Sequence, residues 1–319
     1  MTEADGTSFT KRWILRLDGV QRRRPWLALP YAVFKKFGED RAGYLAGLVA
    51  YYGLFSIFPL LLAMFTVLGF VLADSPDLQQ EIIDSTLAQF PVIGDQLRNN
   101  VGSIQGNGIA LLIGVVIALW AGMAAIRAMQ HAVDTVWNVP LHDRPNLVMS
   151  RVRAFWLLIV VGGGGLLVAI VAAAGTATSS LGTGGTVLAS VLSVATASLV
   201  FLVGFKLLSS ASRSWRDHLP GAIVAGILFV LLQLVGGYYV GRVVKGAEAV
   251  YGLFAVVIGL LSWMHLQARF AVLAVEINAV LADRLWPRCI PGGEPTEVDD
   301  RLDARRTEPA QDSDSPSRM

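Results

Sequence analysis

The apolar positions gather into six long runs, at residues 45–73, 108–126, 154–174, 186–208, 219–241 and 251–283. Each is close to the roughly 20 residues that an α-helix needs to cross about 30 Å of hydrocarbon. The pattern therefore predicts an all-α, polytopic membrane protein with six transmembrane helices. Shorter periodic stretches flank the runs. Trp26, Leu27, Leu29, Tyr31, Phe34 and Phe37 recur among charges before the first run, as in an amphipathic helix lying on a membrane surface. Between the first two runs, Leu78, Ile82, Leu87 and Phe90, then Ile93, Leu97, Val101 and Ile104, are spaced as in two short amphipathic helices broken at Pro91 and Gly94.

Charge turns this pattern into a topology. With the N-terminus inside and six crossings, the inner segments carry 21 of the 26 Lys and Arg residues and the outer loops only 3. The positive-inside rule then orients both termini toward the cytoplasm. Lys206 and Arg269 remain within spans. Three regions follow: a basic, interfacial N-terminal segment at 1–44, a membrane domain at 45–288, and a cytoplasmic tail at 289–319. The tail is rich in Asp, Glu, Arg, Pro and Ser with little to bury, so it is expected to be disordered. The first span is expected to act as an uncleaved anchor, since the preceding residues are too charged for a signal peptide.

Composition sharpens the class and narrows the chemistry. Of 319 residues, 54% are hydrophobic and 16% charged, and the net charge is +2. A soluble domain carries about 25% charged residues, and so small a net charge gives no reason to expect a nucleic-acid partner. One cysteine, Cys289, cannot form an intrachain disulfide or a multi-cysteine metal site. His131, His142, His218 and His265 fall in separate segments, without an HExxH motif, and no Gly-Lys-Ser/Thr follows the glycines at 162–165. No catalytic set, metal site or cofactor is expected.

The candidate functional residues are polar groups inside the spans. His265, Arg269 and Glu276 lie 4 and 7 residues apart, within about 40° on a helix, so they form one face. A charge near the bilayer centre costs on the order of 2.5 to 3.5 kcal/mol, and such a face is expected to turn toward other helices or a wet cavity. Lys206, or failing it Arg127, is expected to neutralise Glu276. Gln267 and Asn278 point roughly the other way, as interhelical hydrogen-bonding groups. In the first run, Pro59 removes a backbone donor and is expected to bend the helix, with Tyr51, Tyr52 and Ser56 nearby. Gly237 and Gly241 have a GxxxG spacing, which permits a homo-oligomer without requiring one.

Several of these stretches resemble one family. GYLAGLVAYYGLFSIFPLLL at 43–62, ALWAGMAAIRAMQHAVDTVWNVP at 118–140, WRDHLPGAIVAGILF at 215–229 and the stretch from 249 to 288 are similar to the YihY/virulence factor BrkB family of membrane proteins. The match rests on Tyr51, Tyr52, Ser56 and Pro59, on Leu219-Pro220-Gly221, on Tyr251-Gly252 and on Glu276 with Asn278. The resemblance implies a multi-pass protein of the bacterial inner membrane with six helices. Members have also been labelled ribonuclease BN, a label that the absence of nuclease residues here does not support, and roles in envelope integrity and lipid transport have been suggested. Arg269 and His265 depart from the family pattern, so the polar face divides into two sites at different depths.

Three functional readings follow. The first is a transporter or flippase-like protein, without its own ATPase, acting on a lipid or amphipathic envelope component, with membrane lipids as its partners. The second is a structural or scaffolding protein of the envelope whose polar residues are only ties between helices. The third, a membrane-bound ribonuclease, requires a clustered metal site that the sequence does not supply.

Overall fold

A computed structural model of the chain describes residues 18–22, 24–71, 77, 80, 108–178, 182–239, 253–291 and 293–311. Among these residues the ordered elements are helical, with no strand. They are α1 (Pro25–Glu39), α2 (Ala42–Val71), α3 (Gly108–Val136), a 3-10 turn (Leu141–Asp143), α4 (Leu147–Thr178), α5 (Thr183–Leu208), α6 (Trp215–Tyr239), α7 (Leu253–Ala282) and α8 (Glu297–Gln311). Among the described residues, four stretches are long and apolar enough to cross a membrane: Val148–Val171, Thr183–Leu208, Trp215–Gly236 and Val257–Ala282. The expected amphipathic helices between the first two runs lie outside the described residues, apart from Asp77 and Gln80.

The chain divides into two compact units, one of residues 41–278 and one joining residues 1–40 to 279–319. In the larger unit, α2 packs along α3, α5 packs along both α4 and α6, and α3 touches α4 and α5. Small residues set these approaches. A Cβ at Gly164 would lie 2.9 Å from the Val200 side chain, and one at Gly226 would lie 2.2 Å from Ser198 Oγ. At Gly221 a Cβ would lie 2.0 Å from the Ala274 carbonyl, so α6 and α7 meet backbone to backbone there.

The ends of the helices have local causes. Pro25 opens α1, where its missing N–H is no loss. Gly182 precedes α5 at φ 80, a conformation that glycine adopts without strain. Asn138 closes α3 at φ 53, with Val139 N–H donating to the Asp134 carbonyl at 2.9 Å and Asn138 N–H to that of Thr135 at 3.0 Å. Arg284 closes α7 in the same way at φ 51. Both are Schellman-type ends that satisfy carbonyls left over by the last turn.

One expectation about extent is corrected. The hydrophobic pattern predicts a second span that ends at residue 126, with a loop to 153. Instead α3 continues to Val136 and α4 begins at Leu147. Val133, Val136 and Trp137, with Gln130 and Asp134, are buried there, so the polar residues that break the run sit on a helix that still has a covered side.

Residues 293–311 are described, most of them within α8, and Thr296, Val298 and Asp299 are buried.

Charge explains why so polar a segment is ordered. In the smaller unit the Asp299 carboxylate accepts from Arg288 Nε at 2.6 Å, Thr296 Oγ1 at 2.7 Å, Cys289 N–H at 2.8 Å and Lys35 Nζ at 2.9 Å. Arg288 Nη2 also reaches both oxygens of Glu39, at 2.7 and 2.9 Å. Burial opposes ionisation of Asp299, but these donors outweigh it and hold the carboxyl well below the usual carboxylate range. Lys35 and Arg288 are pushed up in turn, since their carboxylate partners outweigh the opposing effect of burial. Asp18, which accepts from Ile290 N–H at 3.1 Å and pairs with Arg22 at 2.6 Å, adds a second fastening between the first and last parts of the chain.

Candidate functional site

Within the larger unit, helices α2, α3, α5, α6 and α7 line a partly open cavity of about 220 Å³. Small residues make room for it: Ala50 and Gly53 on α2, Ala125 on α3, Ala225 on α6, and Ala268 and Ala271 on α7. Phe201, Phe229, Phe270, Leu232, Val49 and Met264 supply the bulk of the wall, and Phe201 stands edge-on to Phe229 at 6.1 Å. Among the described residues, Gln267 is the one polar side chain in the lining. Such a wall favours hydrocarbon, with one amide to hydrogen-bond a polar atom.

A second, polar cluster gathers where α3 and α5 end and α6 begins. Asp134 on α3 accepts from Ser210 N–H at 2.7 Å and from its hydroxyl at 2.9 Å. Arg153 on α4 donates to the Leu207 carbonyl at 2.9 Å and to that of Ser209 at 2.6 Å. A cation near a helix C-terminus also opposes the negative end of the helix dipole. Lys206 donates to the Arg213 carbonyl, and the Arg213 guanidinium lies 5.0 Å from the centre of the Trp137 ring. The His218 ring meets Trp137 edge to face at 5.4 Å.

The residues singled out in the sequence fall in several places. Glu276 and Asn278 are fully buried. Asn278 Oδ1 accepts from Gly221 N–H at 2.6 Å, which brings the Leu-Pro-Gly and Glu-x-Asn motifs together as one crossing of α6 and α7. Arg269, on the same helical stripe as Glu276, is exposed, while His265 is half-buried, its Cε1 3.9 Å from where a Gly47 Cβ would stand. The stripe is covered only at the end where α6 closes on α7. Arg127 is exposed and Lys206 half-buried. Ser56 is buried and donates to the Gly53 carbonyl at 2.9 Å. Tyr51 and Tyr52 are exposed, with ring centres 5.4 Å apart. α2 runs on through Pro59.

The polar cluster around Asp134, Trp137, Arg153, Arg213 and His218 was not singled out in the sequence as a site. Its signal was available: Gln130, Asp134 and Trp137 recur every three to four residues, the spacing of a helix face. Among the described residues, no group of three His, Cys, Asp or Glu side chains comes together in a metal-binding arrangement.

Apolar helices of spanning length around a hydrocarbon-lined cavity define an integral membrane protein. The chain belongs to the Virulence factor BrkB family, whose model matches residues 33–290. It is 26% identical over 255 residues to the ribonuclease-like protein YfkH of Bacillus subtilis (strain 168), covering 74% of this chain and 88% of that one. It is also 26% identical over 145 residues to the inner membrane protein YhjD of Escherichia coli (strain K12), 43% of each chain. A third relative, the UPF0761 membrane protein Nmul_A0452 of Nitrosospira multiformis, is 23% identical over 264 residues, 78% of this chain and 60% of that one. The chain thus spans less than two thirds of the length of the latter two relatives. No solved structure gives a significant match.

Proposed function

We propose that this chain is a bacterial inner-membrane transport protein, without its own ATPase, that moves a lipid or another amphipathic envelope component between leaflets. The cavity carries the reading: a partly open hydrocarbon wall, with Gln267 as its one amide among the described residues, suits an acyl or similar chain. The six-span, cytoplasmic-termini topology fits it, because the basic residues then flank the inner leaflet.

Reconstitution tests this directly. Purified protein in liposomes should speed the transbilayer movement of a fluorescent phospholipid, and Ala271→Trp, which fills the cavity, should abolish the gain. No movement of any phospholipid by the wild-type chain would count against transport. A cysteine placed at Met319 in a Cys289→Ser background should stay shielded from an impermeant maleimide in intact cells.

A second reading is favoured by the crossing of α6 and α7. The fully buried Asn278 is there a tie between helices, as in a structural protein of the envelope. On that reading, Ala271→Trp would change no envelope phenotype, whereas Asn278→Ala would.

A further inference from the structure

We infer that the outward face of α1 lies in the headgroup layer of the bilayer, at the leaflet where α7 ends. The sequence pattern treats the apolar residues of this helix as one surface, and the structure divides them. Trp26 and Phe34 are each 65% exposed, and Pro30 is exposed between them. At about 100° per residue these three fall within about 80° of one another, a single stripe. Ala28, Ala32 and Lys36 are buried on the opposite side, at 1%, 0% and 3% exposure. Tyr31 is tied to the protein, its hydroxyl donating to the Cys289 carbonyl at 3.1 Å.

The helix is amphipathic in the reverse of the sense that water favours. Its inner side carries ammonium groups: Lys36 pairs with Asp40, and Lys35 donates to the Cys289 carbonyl and to Asp299, both at 2.9 Å. Its outer side carries two large aromatic rings. A helix in water gains by burying such rings and by leaving ammonium groups solvated. Rings that face hydrocarbon remove the contradiction. Location decides between lipid and a protein cover. Cys289, to which α1 is fastened, follows closely on Ala282, the last residue of a stretch long and apolar enough to cross a membrane. At the other end of α1, only Asp40 and Arg41 separate it from α2, which carries the first apolar run. Both attachments hold the helix at the edge of the hydrocarbon, where tryptophan is enriched. Arg24, the exposed residue just before α1, adds a cation that lipid phosphates can meet. A helix resting on a bilayer moves no lipid, so this placement holds whether or not the chain transports.

The test places a nitroxide on Trp26→Cys, on Phe34→Cys and, as a control, on Asp300→Cys, an exposed position of α8. Each is made in the full chain with Cys289→Ser and held in nanodiscs of phosphatidylglycerol and phosphatidylcholine. Oxygen concentrates in hydrocarbon and a nickel chelate stays in water, so their collisions with the label report its depth. At positions 26 and 34 the ratio of oxygen to nickel collisions should be several-fold higher than at position 300. Cysteine at such exposed positions should leave the fold intact. Should either variant not fold, Trp26→Phe keeps a ring there and should remove a component of the tryptophan fluorescence that brominated lipid quenches. Ratios at 26 and 34 equal to that at 300, or no loss of a quenched component, would put the stripe outside the bilayer. Exclusion of both reagents would mean that protein covers it, and either result would overturn the placement.

Discussion

The two units of the chain are held by opposite means. In the smaller one, charged groups from opposite ends of the sequence converge on Asp299 and Glu39, and the order of the segment follows from that pairing. In the larger one, order follows from missing bulk, at Gly164, Gly221 and Gly226, where helices approach too closely for a Cβ. Coulombic order depends on pH and on each partner being present. Steric order is indifferent to pH and intolerant of a single methyl group.

The contrast can be broken most forcefully at Gly221. Its alanine variant places a methyl 2.0 Å from the Ala274 carbonyl, so Gly221→Ala is expected to cost about 4 kcal/mol or more and to abolish a cooperative melt in detergent. An unchanged melting temperature would sink the steric account.

Next comes Asp299→Asn, which removes one partner of a buried network and is expected to cost the smaller unit about 3 to 5 kcal/mol. Because the folded-state pKa of Asp299 is depressed, its contribution is present above about pH 4 and is lost as pH falls further. Hydrogen exchange at the Cys289 and Thr296 amides, corrected for intrinsic rate, should accelerate on acidification in the wild type. In the variant those amides should exchange quickly already at neutral pH, with no further acid step.

A smaller effect belongs to Asn278→Ala. It strips the acceptor from Gly221 N–H without adding bulk, and about 1 to 3 kcal/mol is expected, read as a lower melting temperature. Smallest of all is Gly163→Ala. Its Cβ would meet nothing within 4 Å, and a change within about 0.5 kcal/mol is expected. A large loss at Gly163 would show that helix glycines here act through something other than close approach.

The same contrast explains what could be seen in the sequence. Apolar runs mark α5 to α7 to within a few residues, because spanning length and hydropathy are local properties. The extension of α3 was hidden because Arg127, Gln130, His131 and Asp134 end the apolar run, although a buried side continues through Val133 to Trp137. The order of residues 293–311 was hidden more deeply. Composition counts how little there is to bury, and it cannot register that Asp299 will meet Lys35 across 264 positions. The polar stripe on α7 was legible as an angle but not as an environment. Glu276 is fully buried and Arg269 is exposed, a difference set by the neighbouring helices and not by the angle around α7.

The contact of Arg153 with the end of α5 has a consequence for how the chain is made. Its guanidinium is synthesised 54 positions before the Leu207 carbonyl that receives it. At about 5 to 20 residues per second, that gap lasts roughly 3 to 11 seconds. During that interval the Arg153 cation has been made while its carbonyl acceptors do not yet exist. The contact that fastens the start of α4 to the end of α5 therefore cannot form until Leu207 and Ser209 have been added to the chain.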